Sequence, residues 1–294
     1  MTEQSSQVSR EGVVAAGRSR RGRLSANLKS AWAVLRRARR PRIAIRPARW
    51  LFLVAASAAA ILLSAILLDA RSTAWAGSLP EWIGSVFQPI TQAGKSDWYL
   101  VPTGVAMLVL ALGAWGKIDR RLRAAWAEIA ALIGYAFVSV AASAIAVNLL
   151  KQIVGRSRPA RVEEDGWLAF DAFNFNYANA SFPSGHATTA GAALMVGALI
   201  FPRLRVPIVA AGLLVAFSRV VVGAHYPSDA VAGVALGAGI AFLIGRFLLR
   251  RGVAFRVDDA GRMRPRSTAA CAARRRGWVR LLAAPFAALA GRAG

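Results

Sequence analysis

The chain has 294 residues, 56% of them hydrophobic, with a mean hydropathy of +0.44 and 38 Lys/Arg against 14 Asp/Glu, a formal net charge of +24. So apolar a composition excludes an ordinary soluble domain, because too little polar sequence remains to cover the surface. The charge excess points first to nucleic acid, but the basic residues fall where a membrane protein places them, and no nucleic-acid partner is expected.

Residues 1–49 are polar and basic, too long and too arginine-rich for a cleaved secretory signal. They read as a cytoplasmic tail leading into a signal anchor. Within it, "KSAWAVLRRARRPRIAIRPARW" interleaves arginines with Trp32, Trp50 and aliphatic residues, a pattern that suits anionic lipid headgroups. Uncharged runs follow at 51–68, 99–116 and 129–150. Crossing the hydrocarbon takes about 20 such residues, so each predicts a span. The runs 186–201, 206–222 and 229–249 are shorter or carry a charge. With them the chain reads as all-α, a six-span transmembrane helical bundle over residues 50–249. Residues 250–294 form a second basic segment, whose "RRRGWVRLLAAPFAALAGR" again predicts a place on the membrane surface. The single cysteine, Cys271, allows no intrachain disulfide.

The connections set the orientation. Residues 1–50 hold 13 Lys/Arg, 116–123 four, 202–205 two and 246–294 twelve. The alternate connections hold only Arg71 and Lys95 in the first and none in 223–228. By the positive-inside rule both termini are cytoplasmic in the cell's inner membrane. The 70–98 connection then faces outward and carries Trp75, Trp82, Phe87 and Trp98 with Pro80 and Pro89. It reads as interfacial aromatics or as a lid over a site. No internal repeat or pair of interrupted, mirror-related spans is visible, which argues against a secondary transporter.

Lys151, Arg156, Arg158, Arg161 and Arg219 break the charge rule and fall in or beside outward connections. There the third span ends in "KQIVGRSRP", the fourth opens with "PSGH", and the fifth leads through "SRVVVGAHYPSD" into the sixth. Three polar clusters thus share one membrane face, and both histidines of the chain lie in them. Lys151 and Arg158 can aim two cations at one anion, and the planar guanidinium suits phosphate. Ser184-Gly185-His186 opens a helix, where an N-cap, free N–H groups and a close backbone approach form an anion site. Arg219 stands near a span end, where a charge is costly and usually functional. His225 and Asp229 flank a turn, where a carboxylate orients an imidazole or simply caps the next helix.

Together, Lys151-x6-Arg158-Pro159, Pro183-Ser184-Gly185-His186 and Ser218-Arg219-x5-His225-x3-Asp229 resemble the three-part signature of the type 2 phosphatidic acid phosphatase and vanadium haloperoxidase superfamily. The motifs span residues 151–229, and the six spans are similar to its integral-membrane branch. The resemblance implies a phosphoric ester hydrolase acting on a membrane lipid phosphate at the outer face. His225 would be the nucleophile and form a phosphohistidine, with Asp229 orienting it. His186 would be general acid and base, and Lys151, Arg158, Ser184, Gly185 and Arg219 would bind phosphate. No metal or other cofactor is expected. The motifs read the phosphoryl group alone, so phosphatidic acid, phosphatidylglycerol phosphate, undecaprenyl pyrophosphate and lipid A 1-phosphate all remain candidate substrates. Two other readings are a non-catalytic lipid-binding or transport protein and a vanadate-dependent haloperoxidase.

Outside the signature, Arg156 and Arg161 read as solvated rather than headgroup-binding, and Glu163-Glu164-Asp165 as a solvated loop. Tyr226, Pro227 and Ser228 read as shaping a turn. Asn174, Asn176, Tyr177 and Asn179 lie in a loop that could meet a headgroup.

Overall fold

The structure, a computed structural model, describes residues 47–113, 115, 118–267, 269–271, 274 and 277–290, together with 22, 25, 27 and 29. Most of the basic N-terminal segment, with Trp32, lies outside the described residues. The described residues are overwhelmingly helical. Three helices, Trp50–Gly77, Arg120–Val154 and Pro227–Arg250, are long and apolar enough to cross a membrane, and Gly185–Ile200 is a shorter apolar helix.

The first of these is built in three pieces: α1 (Pro47–Ser64), one π-helical turn (Ala65–Asp69) and α2 (Ala70–Gly77). The apolar run suggests a span ending at residue 68. Instead the helix continues through Asp69, since no residue between Ser64 and Gly77 stops it, whereas Gly77 and Pro80 do. The wider π turn carries the buried Asp69, and such single turns often mark functional positions.

Next come α3 (Glu81–Gln92) and α4 (Asp97–Leu112). The 35-residue α5 (Arg120–Val154) starts at Asp119, whose carboxylate accepts from the Arg121 and Leu122 N–H groups at 2.9 and 2.8 Å. It ends at Gly155, whose φ of +60° and whose N–H to the Lys151 carbonyl (2.9 Å) close the last turn. A Cβ there would also collide with the Asp171 carbonyl, so only glycine fits. Beyond the connecting loop lie α6 (Gly185–Ile200), α7 (Arg205–Val221) and α8 (Pro227–Arg250).

The described parts form two compact units. Residues Arg42–Thr103 and Tyr135–Phe247 make the larger one. In it α7 packs most extensively on α6 and also on α3. Glycines set the spacing of α6 against α8. Cβ atoms at Gly191 and Gly237 would run into the backbone of Val234 and Thr188, and one at Gly233 would stand 2.6 Å from the Ser184 carbonyl. Small residues four apart on one helix face let backbones touch, which is how helices associate where lipid offers no hydrophobic drive. The close approach ties the starts of α6 and α8 together, and the Ser184 N–H donates to the Asp229 carbonyl at 3.0 Å.

The other unit contains Gly104–Gly134 and Leu248–Gly294. Its core joins Trp115, Trp126 and Leu281, with the Trp126 Nε1–H donating to the Leu281 carbonyl at 2.9 Å and the Trp126 and Phe286 rings 5.9 Å apart edge to face. The segment from residue 250 onward thus holds more structure than its composition announces. It contains a short antiparallel pair, β1 (Phe255–Val257) with β2 (Met263–Pro265), and α9 (Trp278–Ala290).

Candidate active site

Four chain segments of the larger unit bring the signature residues together. α5 supplies Lys151 from its last turn, and the chain leaving Gly155 supplies Arg158. α6 opens with Ser184, Gly185 and His186, and α7 ends with Arg219. The turn into α8 brings His225 and Asp229; it is made by Gly223, at φ +66°, with the His225 N–H closing onto the Arg219 carbonyl at 3.2 Å.

The charges reflect how closely these segments converge. Lys151 feels Arg158, Arg219 and Asp229, and His186 feels Arg219, His225, Lys151 and Lys95. Among the described residues, Lys151, Arg158 and Arg219 form no ion pair with a carboxylate. Arg158 is held by backbone carbonyls, with Nε donating to Tyr177 at 3.0 Å and Nη2 to Ala180 at 3.3 Å, and its guanidinium lies 4.0 Å from the Tyr177 ring centroid. Arg219 Nη1 donates to the Thr91 hydroxyl at 2.7 Å, while its buried Nε has no hydrogen-bond partner among the described residues. Three cations with no carboxylate ion pair among the described residues, one of them with an orphaned donor, have the chemistry to take an anion.

At the α6 start, the Ser184 hydroxyl caps the helix by accepting from the Ala187 N–H at 3.5 Å. A Cβ at Gly185 would sit 3.6 Å from Lys151 Nζ, so the ammonium lies beside the helix mouth. Gly94, in the turn between α3 and α4, presses on His186. A Cβ there would stand 2.7 Å from the His186 Cβ. The 70–98 connection therefore reaches the site through Thr91 and Gly94 instead of only lining the interface with aromatics.

His225 is 3% exposed, and its Nδ1 lies 3.5 Å from Asp229 Oδ2. The same Oδ2 accepts from the Ser181 hydroxyl at 2.5 Å and the Tyr226 N–H at 3.1 Å, and the Ser181 oxygen stands 3.4 Å from His225 Nδ1. Asp229 faces the histidine, and it is not the N-cap of α8 but the third residue inside it, accepting from the Tyr226 N–H just before the helix. Burial pushes the His225 imidazole down to about 4, against the opposing pull of the Asp229 hydrogen bond. The ring is neutral at pH 7, and with Nδ1 turned to the carboxylate the other nitrogen carries the free lone pair.

Several residues escape sequence reasoning. Arg156 is not solvated: it is 3% exposed and paired with Asp69 and Asp229. Ser228 does more than shape a turn, because its N–H donates to Asp69 Oδ1 at 3.0 Å. Ser181, Thr91 and Asp69 have no motif to flag them, although a carboxylate at the end of an apolar run is itself a signal. Arg161, by contrast, is a surface residue that pairs with Asp165 at 3.1 Å. Asp165 also accepts from Ser157 at 2.6 Å, so the acidic run is partly tied down.

A long apolar helical fold with a cationic cradle beside a histidine–carboxylate pair defines an integral membrane protein with a phosphate-type site. The family model described as the PAP2 superfamily matches residues 132–252. A lipid A 1-phosphatase of Rhizobium johnstonii is 35% identical over 236 residues, 80% of this chain and 96% of its own length. A decaprenylphosphoryl-5-phosphoribose phosphatase of Mycobacterium tuberculosis is 39% identical over 150 residues, 48% of this chain and 70% of its own. A crystal structure of a transmembrane PAP2-type phosphatidylglycerolphosphate phosphatase from Bacillus subtilis is similar at a TM-score of 0.43 and 22% identity, over 67% of this chain and 92% of that one. The chain belongs to the PAP2 superfamily. It is a phosphoric ester hydrolase, a membrane lipid phosphatase.

Proposed function

We propose that the chain removes the 1-phosphate of lipid A, or of a closely related saccharolipid, through a phosphohistidine on His225. The observation that carries the mechanism is the buried His225, whose Nδ1 faces a fixed Asp229 while three cations without carboxylate partners among the described residues line the same site. The substrate assignment is supported by the likeness to a lipid A 1-phosphatase along 80% of the chain.

In the first step the free nitrogen of His225 forms a bond to phosphorus as the bond to the leaving oxygen breaks. His186 gives its proton to that oxygen. Asp229 offsets the positive charge that builds on the imidazole. Lys151, Arg158 and Arg219, with the Ser184 hydroxyl and the Gly185 N–H, hold the equatorial oxygens. In the second step His186 takes a proton from water, whose oxygen attacks phosphorus, and the N–P bond breaks to release inorganic phosphate.

We infer further that six helices cross the inner membrane: α1 with α2, then α4, α5, α6, α7 and α8. Both termini lie in the cytoplasm and the site faces outward. The charge bias of the connections supports this orientation, and the lipid's phosphate would meet the mouth of α6 while its chains stay in the bilayer. The basic segments at both ends would rest on anionic headgroups.

The deciding experiment is phosphate release by the detergent-purified protein from a panel of lipids, with EDTA present. The panel holds lipid A, phosphatidic acid, phosphatidylglycerol phosphate and undecaprenyl pyrophosphate. The expected result is release from lipid A in preference to the others, undiminished by EDTA. Equal release from all four would sink the substrate assignment, and loss on chelation would sink the metal-free mechanism.

A pH prediction follows from the burial of His225. A lowered value favours the neutral nucleophile, so on acidification it stays uncharged through 6.5 and takes its proton only near 4. The unfolded chain, titrating near the ordinary value, binds the proton first, so this group's contribution to stability is complete above about 6.5 and is lost as pH falls toward about 4. With only two histidines in the chain, imidazole nitrogen NMR can follow each separately. Titration of His225 at its ordinary value would contradict the sealed pocket.

A further inference from the structure

Arg156 stands two residues before Arg158 but does not share its role. Its side chain is 3% exposed, and Asp69 and Asp229, which it joins, are fully sealed. Nη1 donates to Asp229 Oδ1 at 2.7 Å and to the Ser228 hydroxyl at 2.8 Å. Nη2 donates to Asp69 Oδ2 at 2.9 Å and to the Trp167 carbonyl at 3.0 Å. The guanidinium also lies 4.1 Å from the Tyr226 ring centroid. Asp69, from the π turn of the first long helix, is fixed in turn by the Ser228 N–H at 3.0 Å. One guanidinium therefore bridges that helix to the carboxylate that faces His225.

We propose that Arg156, anchored by Asp69, is a positioning residue for the catalytic pair: it holds Asp229 Oδ1, and so aims Oδ2 at His225 Nδ1. The proposal rests on the reading of His225 as nucleophile and Asp229 as its orienter. A carboxylate stripped of water is costly unless a cation and hydrogen bonds replace the lost hydration. Asp229 receives the cation on one oxygen and three polar contacts on the other, which leaves its plane no freedom to turn. Arginine suits the place because its planar fork reaches two carboxylates at once, which a point-like ammonium does not. Arg156 has no opening toward substrate, so its effect falls on the step in which positive charge grows on His225. An interaction made only as that charge grows is read in kcat. Substrate binding rests on Lys151, Arg158 and Arg219, which Arg156 does not touch, and KM should hardly move.

The test measures kcat and KM on a lipid phosphate for the full-length protein and for Arg156→Gln, Arg156→Lys, Asp69→Asn and the Arg156→Gln/Asp69→Asn double variant. Arg156→Gln should lower kcat about a hundredfold with KM within about threefold, the pattern of an interaction felt mainly in the transition state. Arg156→Lys should recover part of the loss. Asp69→Asn, which keeps the cation but frees its far end, should cost about tenfold, and the double variant should be no worse than Arg156→Gln alone, since the two act as one unit. Three results overturn the proposal: an unchanged kcat, a loss carried by KM, or independent additive losses in the double variant. If Arg156→Gln does not fold, Arg156→Lys and Asp69→Asn read the same split while keeping a cation in place. His225→Ala and Asp229→Asn in the same assay separate the failures. Activity retained in those two undoes the nucleophile reading itself, whereas their loss beside a normal Arg156→Gln undoes only the positioning role.

Discussion

His225→Ala is expected to abolish turnover, lowering phosphate release by about 10^4-fold or more, the scale seen when a covalent nucleophile is removed. The physical reason is that the site offers no substitute. The remaining imidazole, His186, lies on the first turn of α6 against Gly94 and is taken up with the proton of the leaving oxygen. The three cations would still bind the phosphate, so the variant should keep its affinity for substrate or for vanadate while losing the chemistry. Two readouts check this: phosphate release, and recovery of an acid-labile phosphoryl group after rapid quenching. The intact protein should yield the labelled species and the variant none. Substantial turnover by the variant would place the nucleophile elsewhere and leave the buried His225–Asp229 pair as a purely structural contact.

His186→Ala should lower turnover of a lipid phosphate by about 10^2- to 10^4-fold, the usual worth of a positioned acid and base. The size of the loss should depend on the leaving group. An alkoxide or sugar oxygen needs a proton as it departs, whereas p-nitrophenolate does not. With p-nitrophenyl phosphate the variant should therefore release about one equivalent of nitrophenol quickly and then stall, because the second step still lacks a base for water. Phosphoenzyme would accumulate, and trapping would recover more of it than from the intact protein. An equal loss on both substrates with no build-up would mean that His186 only shapes the site. The pairing of a burst with a stalled second step separates a proton carrier from a packing residue.

Much of this protein is legible in its amino-acid sequence. Hydropathy is a local property, so apolar runs announce the long helices, and the distribution of Lys and Arg among the connections suggests an orientation. The signature residues carry their chemistry in their identity, and their spacing predicts that they meet at the ends of neighbouring helices. Boundaries are less secure. The run ending at residue 68 gives no notice that the helix passes through Asp69, and the basic composition beyond residue 250 conceals a hairpin and a helix packed on Trp126.

Motif spacing singles out Arg158 and leaves Arg156 aside, but only the folded chain shows what Arg156 does. Both are arginines in one short loop, and composition treats them alike. Yet one lies beside the cationic cradle, held by backbone carbonyls, while the other is sealed against carboxylates 87 and 73 residues away in the chain. The same holds for Ser181 on Asp229 and for Thr91 on Arg219, the latter 128 residues distant. Such pairings have no periodicity and no fixed spacing. They arise where helices meet, from close glycine contacts between α6 and α8 and the need to satisfy every polar group removed from water. Residue identity and motif spacing point to the groups suited to phosphoryl transfer. The packing of helices in a dry interior settles which of the other polar residues hold them in place.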